Sequence, residues 1–347
     1  MSLPDFQVLR PRTNAEAVEL LARHAGDIRI LAGGTDLVPS MRQKLFTPKF
    51  VLDIRAIAEL NGIRESAAGL SIGAMTTLSA IERHPGIRKN FPVLRAATIT
   101  VASPVIRNMA TLGGNICLDT RCLWYNQSLA WRKSCGFCIK KDGNLCHVAP
   151  GGTKCWAAFS ADTPPALLCL GAQLEILSPQ GTRIVPLSDL YSGAGEAPLK
   201  LAATDLLAAI HLPAASSGLH GTYKKLRIRG SIDYPLAGVA VTFRNGSSGV
   251  TGSGSGMSAG SGAGNVPANA IMKDVRVAIT AVNPAPLLVK EAAKQLEGKP
   301  FNEATAELAG ELAAKSARPL TTSALTPEYR KEMVRVLAKR ALLSLSQ

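Results

Sequence analysis

Cysteine is the residue type that most distinguishes this sequence. Six of the seven cysteines lie between residues 117 and 155: Cys117, Cys122, Cys135, Cys138, Cys146 and Cys155. Cysteine thiolates bind metal ions and iron–sulfur clusters. Directly before them, Thr111-Leu112-Gly113-Gly114-Asn115 contains two adjacent glycines, which leave the backbone amides uncovered. A cysteine cluster beside such a turn predicts two redox groups placed side by side.

A second glycine turn, Ala32-Gly33-Gly34-Thr35-Asp36, follows a predicted strand at residues 28–32. Adjacent glycines can adopt positive φ, and their amides then form a concave anion site suited to a pyrophosphate. Taken alone, a segment of this kind is more often an ordinary tight turn. Neither matches the dinucleotide fingerprint or the P-loop, which disfavours a Rossmann nicotinamide domain.

The cysteine spacing leaves the bound group open. Cys135-Gly136-Phe137-Cys138 is a C-x-x-C pair that, together with Cys146 and Cys155, would suit zinc. His147 could be a further ligand, although a histidine in a loop is more often solvated. The spacing is wider than the compact ferredoxin pattern, so the cysteines alone do not identify the metal.

Composition narrows the class of partner. The net charge of +14 favours an acidic protein partner, whereas the aromatic content of 5% offers little surface for stacking nucleic-acid bases, so we expect no nucleic-acid ligand. The apolar runs are too short to span a membrane, and we expect no membrane association. The first residues do not resemble a signal peptide, so we expect a cytoplasmic protein with reduced thiols rather than disulfides.

The elements that must position these residues follow from the hydrophobic pattern. Residues 1–55 predict a strand–helix–strand–helix–strand unit, whose first helix opens with a capping box at Thr13-Asn14-Ala15-Glu16. Residues 166–177 and 181–187 predict one hairpin, and residues 236–244 and 271–282 predict another. Two amphipathic helices are expected at 302–316 and 327–343. The Gly- and Ser-rich run at 246–265 predicts a flexible loop.

The two glycine segments, followed by Ser160-Ala161-Asp162-Thr163-Pro164-Pro165-Ala166 and Tyr223-Lys224-Lys225-Leu226-Arg227, resemble the flavoprotein subunit of the molybdenum hydroxylase (xanthine dehydrogenase) family. The resemblance covers nearly the whole chain. It implies an α+β protein with a two-part FAD-binding domain, of the vanillyl-alcohol-oxidase (PCMH-like) rather than the Rossmann type. A smaller C-terminal domain of antiparallel sheet and helices would follow.

The resemblance also implies domain limits and cofactor contacts. The first FAD-binding subdomain would span residues 1–55, the second 56–215 and the C-terminal domain 216–347. The residues that match FAD-binding positions of the family are Ile30, Leu31, Ala32, Gly33, Gly34, Thr35, Asp36, Leu37, Val101, Thr111, Gly113, Gly114, Asn115, Asp162, Leu207 and Lys224.

The chain departs from the family's usual pattern between Asn115 and Asp162, where an insertion at about 117–158 carries the cysteines. In this the sequence is similar to one branch of the family, the flavin-containing β subunits of the 4-hydroxybenzoyl-CoA reductases. That similarity implies an extra [4Fe–4S] cluster held by Cys122, Cys138, Cys146 and Cys155. Whether Cys135 replaces Cys138 as a ligand is left open.

The resemblance predicts an electron-transfer subunit. Electrons from reduced ferredoxin would pass through the [4Fe–4S] cluster and FAD to [2Fe–2S] clusters on a small subunit and to the molybdenum cofactor on a large subunit. The complex, expected as a dimer of heterotrimers, would reduce 4-hydroxybenzoyl-CoA to benzoyl-CoA. An oxidative hydroxylase that passes electrons to NAD or another acceptor is the alternative. A zinc-stabilised protein that binds another phosphate ligand is a third possibility.

Overall fold

The computed structural model describes residues 2–246 and 265–346, which contain three separate β-sheets with their helices. Nearly all of the Gly- and Ser-rich run predicted to be a flexible loop lies outside these residues. No helix in the described ranges is long and apolar enough to cross a membrane.

The first sheet is parallel and has the strand order β1-β3-β2. Its elements are β1 (Gln7–Leu9), α1 (Asn14–Arg23), β2 (Ile28–Leu31), α2 (Leu37–Arg42) and β3 (Phe50–Asp53). At the start of α1, the Thr13 hydroxyl accepts a hydrogen bond from the Glu16 amide, whereas the Glu16 carboxylate accepts from the Arg12 amide. The strand–helix alternation predicted for residues 1–55 is present.

The second sheet is antiparallel, with the order β4-β5-β8-β6-β7. Its strands are β4 (Ile63–Ser66), β5 (Gly69–Gly73), β6 (Gln173–Ser178), β7 (Gly181–Pro186) and β8 (Leu206–Pro213). Between β5 and β8 the chain also forms helices α3 (Leu78–Arg83), α4 (Pro85–Asn90), α5 (Pro92–Thr98), α6 (Pro104–Arg107), α7 (Leu112–Ile116), α8 (Leu129–Ser134), α9 (Thr163–Cys169) and α10 (Leu187–Leu190). The predicted insertion at about 117–158 therefore contains one short helix, α8, and is otherwise loop.

Two sequence predictions in this region were wrong. Residues 166–170, predicted to begin a strand, lie in and at the end of α9, because Pro164 and Pro165 suit the first turn of a helix and the strand starts only at Gln173. The segment 111–115, predicted to be a turn, is the first part of α7. There Thr111 is the N-cap residue and its hydroxyl accepts from the Gly114 amide.

The third sheet is antiparallel, with the order β12-β11-β10-β9, and is covered by the C-terminal helices. Its elements are β9 (His220–Leu226), β10 (Ala237–Gly246), β11 (Ile271–Thr280), β12 (Leu287–Leu288), α11 (Lys290–Leu296), α12 (Glu303–Ser316) and α13 (Pro327–Leu343). The predicted hairpin of β10 and β11 and both terminal helices are present. The other face of the sheet packs against α5 and α9, so the C-terminal part lies against the second sheet's helices.

A buried arginine holds the C-terminal part together. Arg330 of α13 is fully buried and donates hydrogen bonds to the carbonyl oxygens of Leu236, Leu320 and Ala281, at 2.9, 2.9 and 2.6 Å. Burial lowers the pKa of Arg330 to about 10. The guanidinium thus joins three separate loops, and its hydrogen bonds to Leu236 and Ala281 are buried.

Replacing Arg330 with Met should destabilise the protein strongly. The substitution leaves buried carbonyl groups without donors, and we expect a loss of about 3 kcal/mol or more in the free energy of unfolding. Urea unfolding of the variant measures this loss. Lys331→Ala, one residue along the same helix and exposed, is the matched control and should change stability by less than about 0.5 kcal/mol. Equal effects of the two substitutions would contradict the assignment.

Candidate functional site

One large cavity, of about 800 Å³, lies where the first sheet, the second sheet's helices and the start of the C-terminal part meet. Both glycine segments line it. The predicted FAD-binding residues in its lining are Ile30, Ala32, Gly33, Gly34, Thr35, Asp36, Leu37, Val101, Thr111, Gly113, Gly114, Asn115, Asp162 and Leu207. Two predicted residues, Leu31 and Lys224, are not part of the lining.

The first glycine turn offers unused hydrogen-bond donors. Within the described residues, the backbone amides of residues 33–37 have no hydrogen-bond acceptor in the protein. Gly34 has a φ of +72°, a conformation that favours glycine. A run of free amides at the start of α2 is a suitable site for a pyrophosphate. This observation fits a dinucleotide cofactor such as FAD.

Gly33 has a different reason to be glycine. A Cβ atom at this position would lie 1.9 Å from the carbonyl oxygen of Met109. The turn after β2 therefore touches the backbone just before Thr111. This close contact is what brings the two glycine segments into one cavity.

The backbone amides of the second glycine segment donate hydrogen bonds to acceptors within the protein. The Leu112 amide donates to the carbonyl of Thr76, and the Gly113 amide donates to that of Ala74, at 3.0 and 2.9 Å. The Gly114 amide donates to the Thr111 hydroxyl. Asn115 holds the start of α9, because its Oδ1 accepts from both the amide and the hydroxyl of Thr163. The segment thus shapes the cavity wall rather than presenting a second set of free amides.

Asp162 is a buried residue of the cavity lining. Its carboxylate accepts from the Tyr223 hydroxyl at 2.8 Å and from Lys225 Nζ at 3.0 Å, and both ionic side chains are almost completely buried. Burial raises the pKa of Asp162, while the Lys225 ammonium and the Tyr223 hydroxyl oppose that shift. The lysine that meets Asp162 is therefore Lys225 and not the neighbouring Lys224. Because side chains alternate along a strand, only one of two adjacent lysines can face Asp162.

A cluster at the cavity rim was missed by the sequence reasoning. The Arg121 guanidinium forms an ion pair with Asp36 and lies 4.4 Å from the ring centroid of Tyr234, whose hydroxyl donates to Asp36 at 2.9 Å. These residues belong to the insertion, the first turn and the C-terminal part, respectively. No local pattern in the sequence links them, because their positions are 85 to 198 residues from Asp36.

The four predicted metal ligands meet at a second, small cavity of about 10 Å³, lined by Cys122, Cys138, Cys146 and Cys155. All four are buried. Cys135 ends α8 and does not line this cysteine cavity, and Cys117 lies at the large cavity instead. Cys169, predicted to lie in a strand, is buried at the end of α9.

The surroundings of the cysteine cavity are apolar and aromatic. Cys122, Cys138 and Cys155 share a small core with Tyr125, Ala157 and Leu45, and Trp124 packs against this core. The His147 ring stacks on Trp124 at 4.4 Å, and its Nε2 is 2.6 Å from the Phe137 carbonyl oxygen. His147 lines the cavity but is occupied by these contacts.

Burial favours the protonated form of two of these thiols, Cys122 and Cys155. It raises the pKa of Cys122 to about 11 and that of Cys155 to about 12. In the described part of the chain, no group of three or more His, Cys, Asp or Glu side chains has the arrangement of a metal-ion site. By donor type alone, four cysteine sulfurs suit either an iron–sulfur cluster or a zinc ion.

Comparison with known proteins defines the class. The family profile for the "FAD binding domain in molybdopterin dehydrogenase" matches residues 4–215, and that for the "CO dehydrogenase flavoprotein C-terminal domain" matches residues 221–345. The carbon monoxide dehydrogenase medium chain of Afipia carboxidovorans is 31% identical over 337 residues, which cover 97% of this chain and 95% of that relative. The putative xanthine dehydrogenase FAD-binding subunit of Escherichia coli is 26% identical over 335 residues, covering 96% and 93%.

A solved structure agrees with these matches. The crystal structure of the cyanide-inactivated form of Cu,Mo-CO dehydrogenase contains a chain with a TM-score of 0.76 and 29% identity, covering 100% of this chain and 99% of that one. The fold is therefore that of a flavoprotein subunit with an FAD-binding part and a C-terminal domain, as predicted. The chain belongs to the FAD-binding medium subunits of the molybdenum hydroxylase family, and FAD is its cofactor.

Replacing Gly33 with Ala should reduce FAD binding. The added Cβ overlaps the Met109 carbonyl, so the turn must shift and its free amides lose their positions. We expect the affinity for FAD to fall at least about tenfold, equivalent to about 1.4 kcal/mol. Flavin absorbance per chain, after dialysis against FAD of known concentration, measures the loss.

Gly230→Ala is the matched control, since a Cβ at Gly230 has nothing within 4 Å. It should bind FAD like the unmodified protein. Full FAD binding by the Gly33→Ala variant would show that the first turn does not hold the cofactor.

Proposed function

We propose that this chain is the electron-transfer flavoprotein subunit of a complex of the 4-hydroxybenzoyl-CoA reductase type, and that it holds a [4Fe–4S] cluster in addition to FAD. One observation carries the proposal. Four buried cysteines from an insertion surround a single cavity, and that cavity adjoins the large cavity lined by both glycine segments.

The large cavity is the proposed FAD site. The free amides of residues 33–37 would hold the pyrophosphate, and the apolar side chains of Val101 and Leu207 would exclude water from the ring system. Asp162, fixed by Tyr223 and Lys225, would complete the wall opposite the first turn. Bound FAD accepts and releases one or two electrons, which allows it to connect donors and acceptors of either kind.

The cysteine cavity is the proposed cluster site, with Cys122, Cys138, Cys146 and Cys155 as the four thiolate ligands. A bound [4Fe–4S] cluster supplies one-electron transfer. The small core of Leu45, Tyr125 and Ala157, together with Trp124, would keep water away from the cluster, which influences its reduction potential. Because ligand binding energy becomes folding energy, the cluster would also order a loop that contains little regular structure.

Partner subunits follow from the relatives. A "medium chain" implies larger and smaller chains in the same complex, and we propose a large molybdenum-cofactor subunit and a small [2Fe–2S] subunit, assembled as a dimer of heterotrimers. Electrons from reduced ferredoxin would enter at the cysteine site, pass to the flavin site and leave towards these partners. In the reductase, two electrons and two protons reduce 4-hydroxybenzoyl-CoA to benzoyl-CoA and water.

An oxidative enzyme is the second candidate. The relatives bear the names of carbon monoxide and xanthine dehydrogenases, and these names favour oxidation of a substrate on the large subunit more than they favour the reductase. Electrons would then flow in the opposite direction, from the molybdenum centre through the flavin to NAD or another acceptor. The family relationship is the same for both candidates.

The electron donor separates the two candidates. Stopped-flow flavin reduction in the anaerobic complex should be fast with reduced ferredoxin and slow with NADH if the reductase proposal is correct. The net charge of +14 should steer an acidic donor, so the second-order rate constant should fall at least about tenfold between low and high salt. Fast reduction by NADH and none by ferredoxin would favour the oxidative candidate.

A pair of cysteine variants tests the proposed ligands. Cys138→Ser removes a thiol from the cysteine cavity, whereas Cys135→Ser changes a thiol that lies outside it. In the reduced complex, we expect the first variant to lose the electron paramagnetic resonance signal of the extra cluster and the second to keep it. Loss of the signal only in the Cys135→Ser variant would assign the ligand to Cys135 instead.

A further inference from the structure

The two cavities share part of their lining. Only Tyr125 and Lys140 of the described residues line both the large cavity and the cysteine cavity. The Tyr125 side chain is buried, and the Lys140 side chain is 3% exposed. A single layer of side chains therefore separates the two cavities, and it contains one cation.

The Lys140 ammonium is held in a fixed position. Its Nζ donates to Asp119 Oδ1 at 2.8 Å, to the Thr120 hydroxyl at 2.7 Å and to the Gly195 carbonyl at 2.6 Å, which uses all three of its protons. It also lies 4.8 Å from the centroid of the Tyr125 ring. A lysine with these contacts cannot extend into solvent, so its charge stays between the cavities.

The positive charge of Lys140 acts electrostatically on any redox group in either cavity, because Lys140 lines both. Each electron that enters either redox group adds a negative charge unless a proton accompanies it. In a region from which water is largely excluded, the attraction between that charge and a nearby ammonium is much stronger than in solution. The Asp119 carboxylate repels an added negative charge, but its side chain is 21% exposed, so water screens it better than it screens Lys140.

We infer that Lys140 is a positioning residue for electron transfer, whose charge in the shared wall raises the reduction potentials of both the flavin and the cluster. The effect on the cluster rests on the function proposed above. The effect on the flavin rests only on FAD occupying the large cavity. The inference assigns to Lys140 a role at the flavin, whereas the four cysteines of the cysteine cavity do not line the large cavity.

Three variants of the anaerobically purified complex test this inference. Lys140→Met removes the charge at similar volume, Lys140→Arg keeps it, and Asp119→Asn removes the opposing charge. Lys141→Met is the matched control, because Lys141 also lines the large cavity. Its side chain is 30% exposed, and its Nζ lies 3.8 Å from Asp142 Oδ2. Flavin potentials are measured by absorbance during a redox titration, and cluster potentials by electron paramagnetic resonance.

Lys140→Met should lower both potentials, with a change of at least about tenfold in the one-electron equilibrium of the cluster, or about 59 mV. Lys140→Arg should stay close to the unmodified complex, Asp119→Asn should raise both potentials, and Lys141→Met should change them less than Lys140→Met. Opposite signs for Lys140→Met and Asp119→Asn cannot arise from a general loss of structure. FAD content and thermal unfolding of each variant confirm that it is folded.

The inference is overturned if Lys140→Met leaves the flavin potential unchanged, or if Asp119→Asn causes no shift or one of the same sign as Lys140→Met. If the complex contains no extra cluster, the proposed function fails, but the flavin titration still decides the role of Lys140. The two failures are therefore distinguishable.

Discussion

The contact between Gly33 and the carbonyl of Met109 is the constraint on which the flavin site depends. It allows the turn after β2 to lie against the backbone that leads into Thr111, with no side chain between them. A parallel sheet from the start of the chain and a helix from its middle thereby form one cavity. The free amides of the turn then face the same space as the apolar residues Val101 and Leu207.

Three cationic side chains attach the segment 117–158 to this frame. Arg132, whose side chain is 2% exposed, donates to the carbonyls of Gln43 and Lys44 just after α2. Arg121 reaches Asp36 of the first turn, and Lys140 reaches the Gly195 carbonyl. These contacts place the cysteines next to the large cavity rather than at a distance from it. The cluster proposed for this segment would therefore lie beside the flavin fold without requiring a change in that fold.

Much of the fold could be predicted from the sequence because its local signals agree. The unit of residues 1–55 and the helices α12 and α13 have clear periodicity and caps. The secondary structure of two segments was predicted wrongly. Residues 166–170 form an apolar run that suits a buried helix as well as a strand. Residues 111–115 were predicted to be a turn because adjacent glycines rarely begin a helix.

The candidate site was predictable only in part, for a physical reason. The first glycine turn could be identified from residue type and order, whereas the choice of four cysteines out of the seven came from the resemblance to one branch of the family. Tyr125, Lys140 and the cluster of Arg121, Asp36 and Tyr234 could not, because their roles arise from contacts between segments far apart in sequence. Strand register decides that Lys225, and not Lys224, forms the ion pair with Asp162, and the sequence alone does not determine that register.

The most direct test of two adjacent redox groups in this chain is a count of iron, acid-labile sulfide, zinc and FAD in the purified complex. The count is made for the complex with the unmodified chain and for the complex with a Cys122→Ser/Cys146→Ser variant. Iron on partner subunits is the same in both complexes, so the difference in iron content reports this chain alone. The account predicts that the variant lacks about four iron and four sulfide per copy of this chain and keeps its FAD. Equal iron in both complexes, or a loss of zinc instead, would contradict the cluster and leave a flavoprotein with a structural cysteine site.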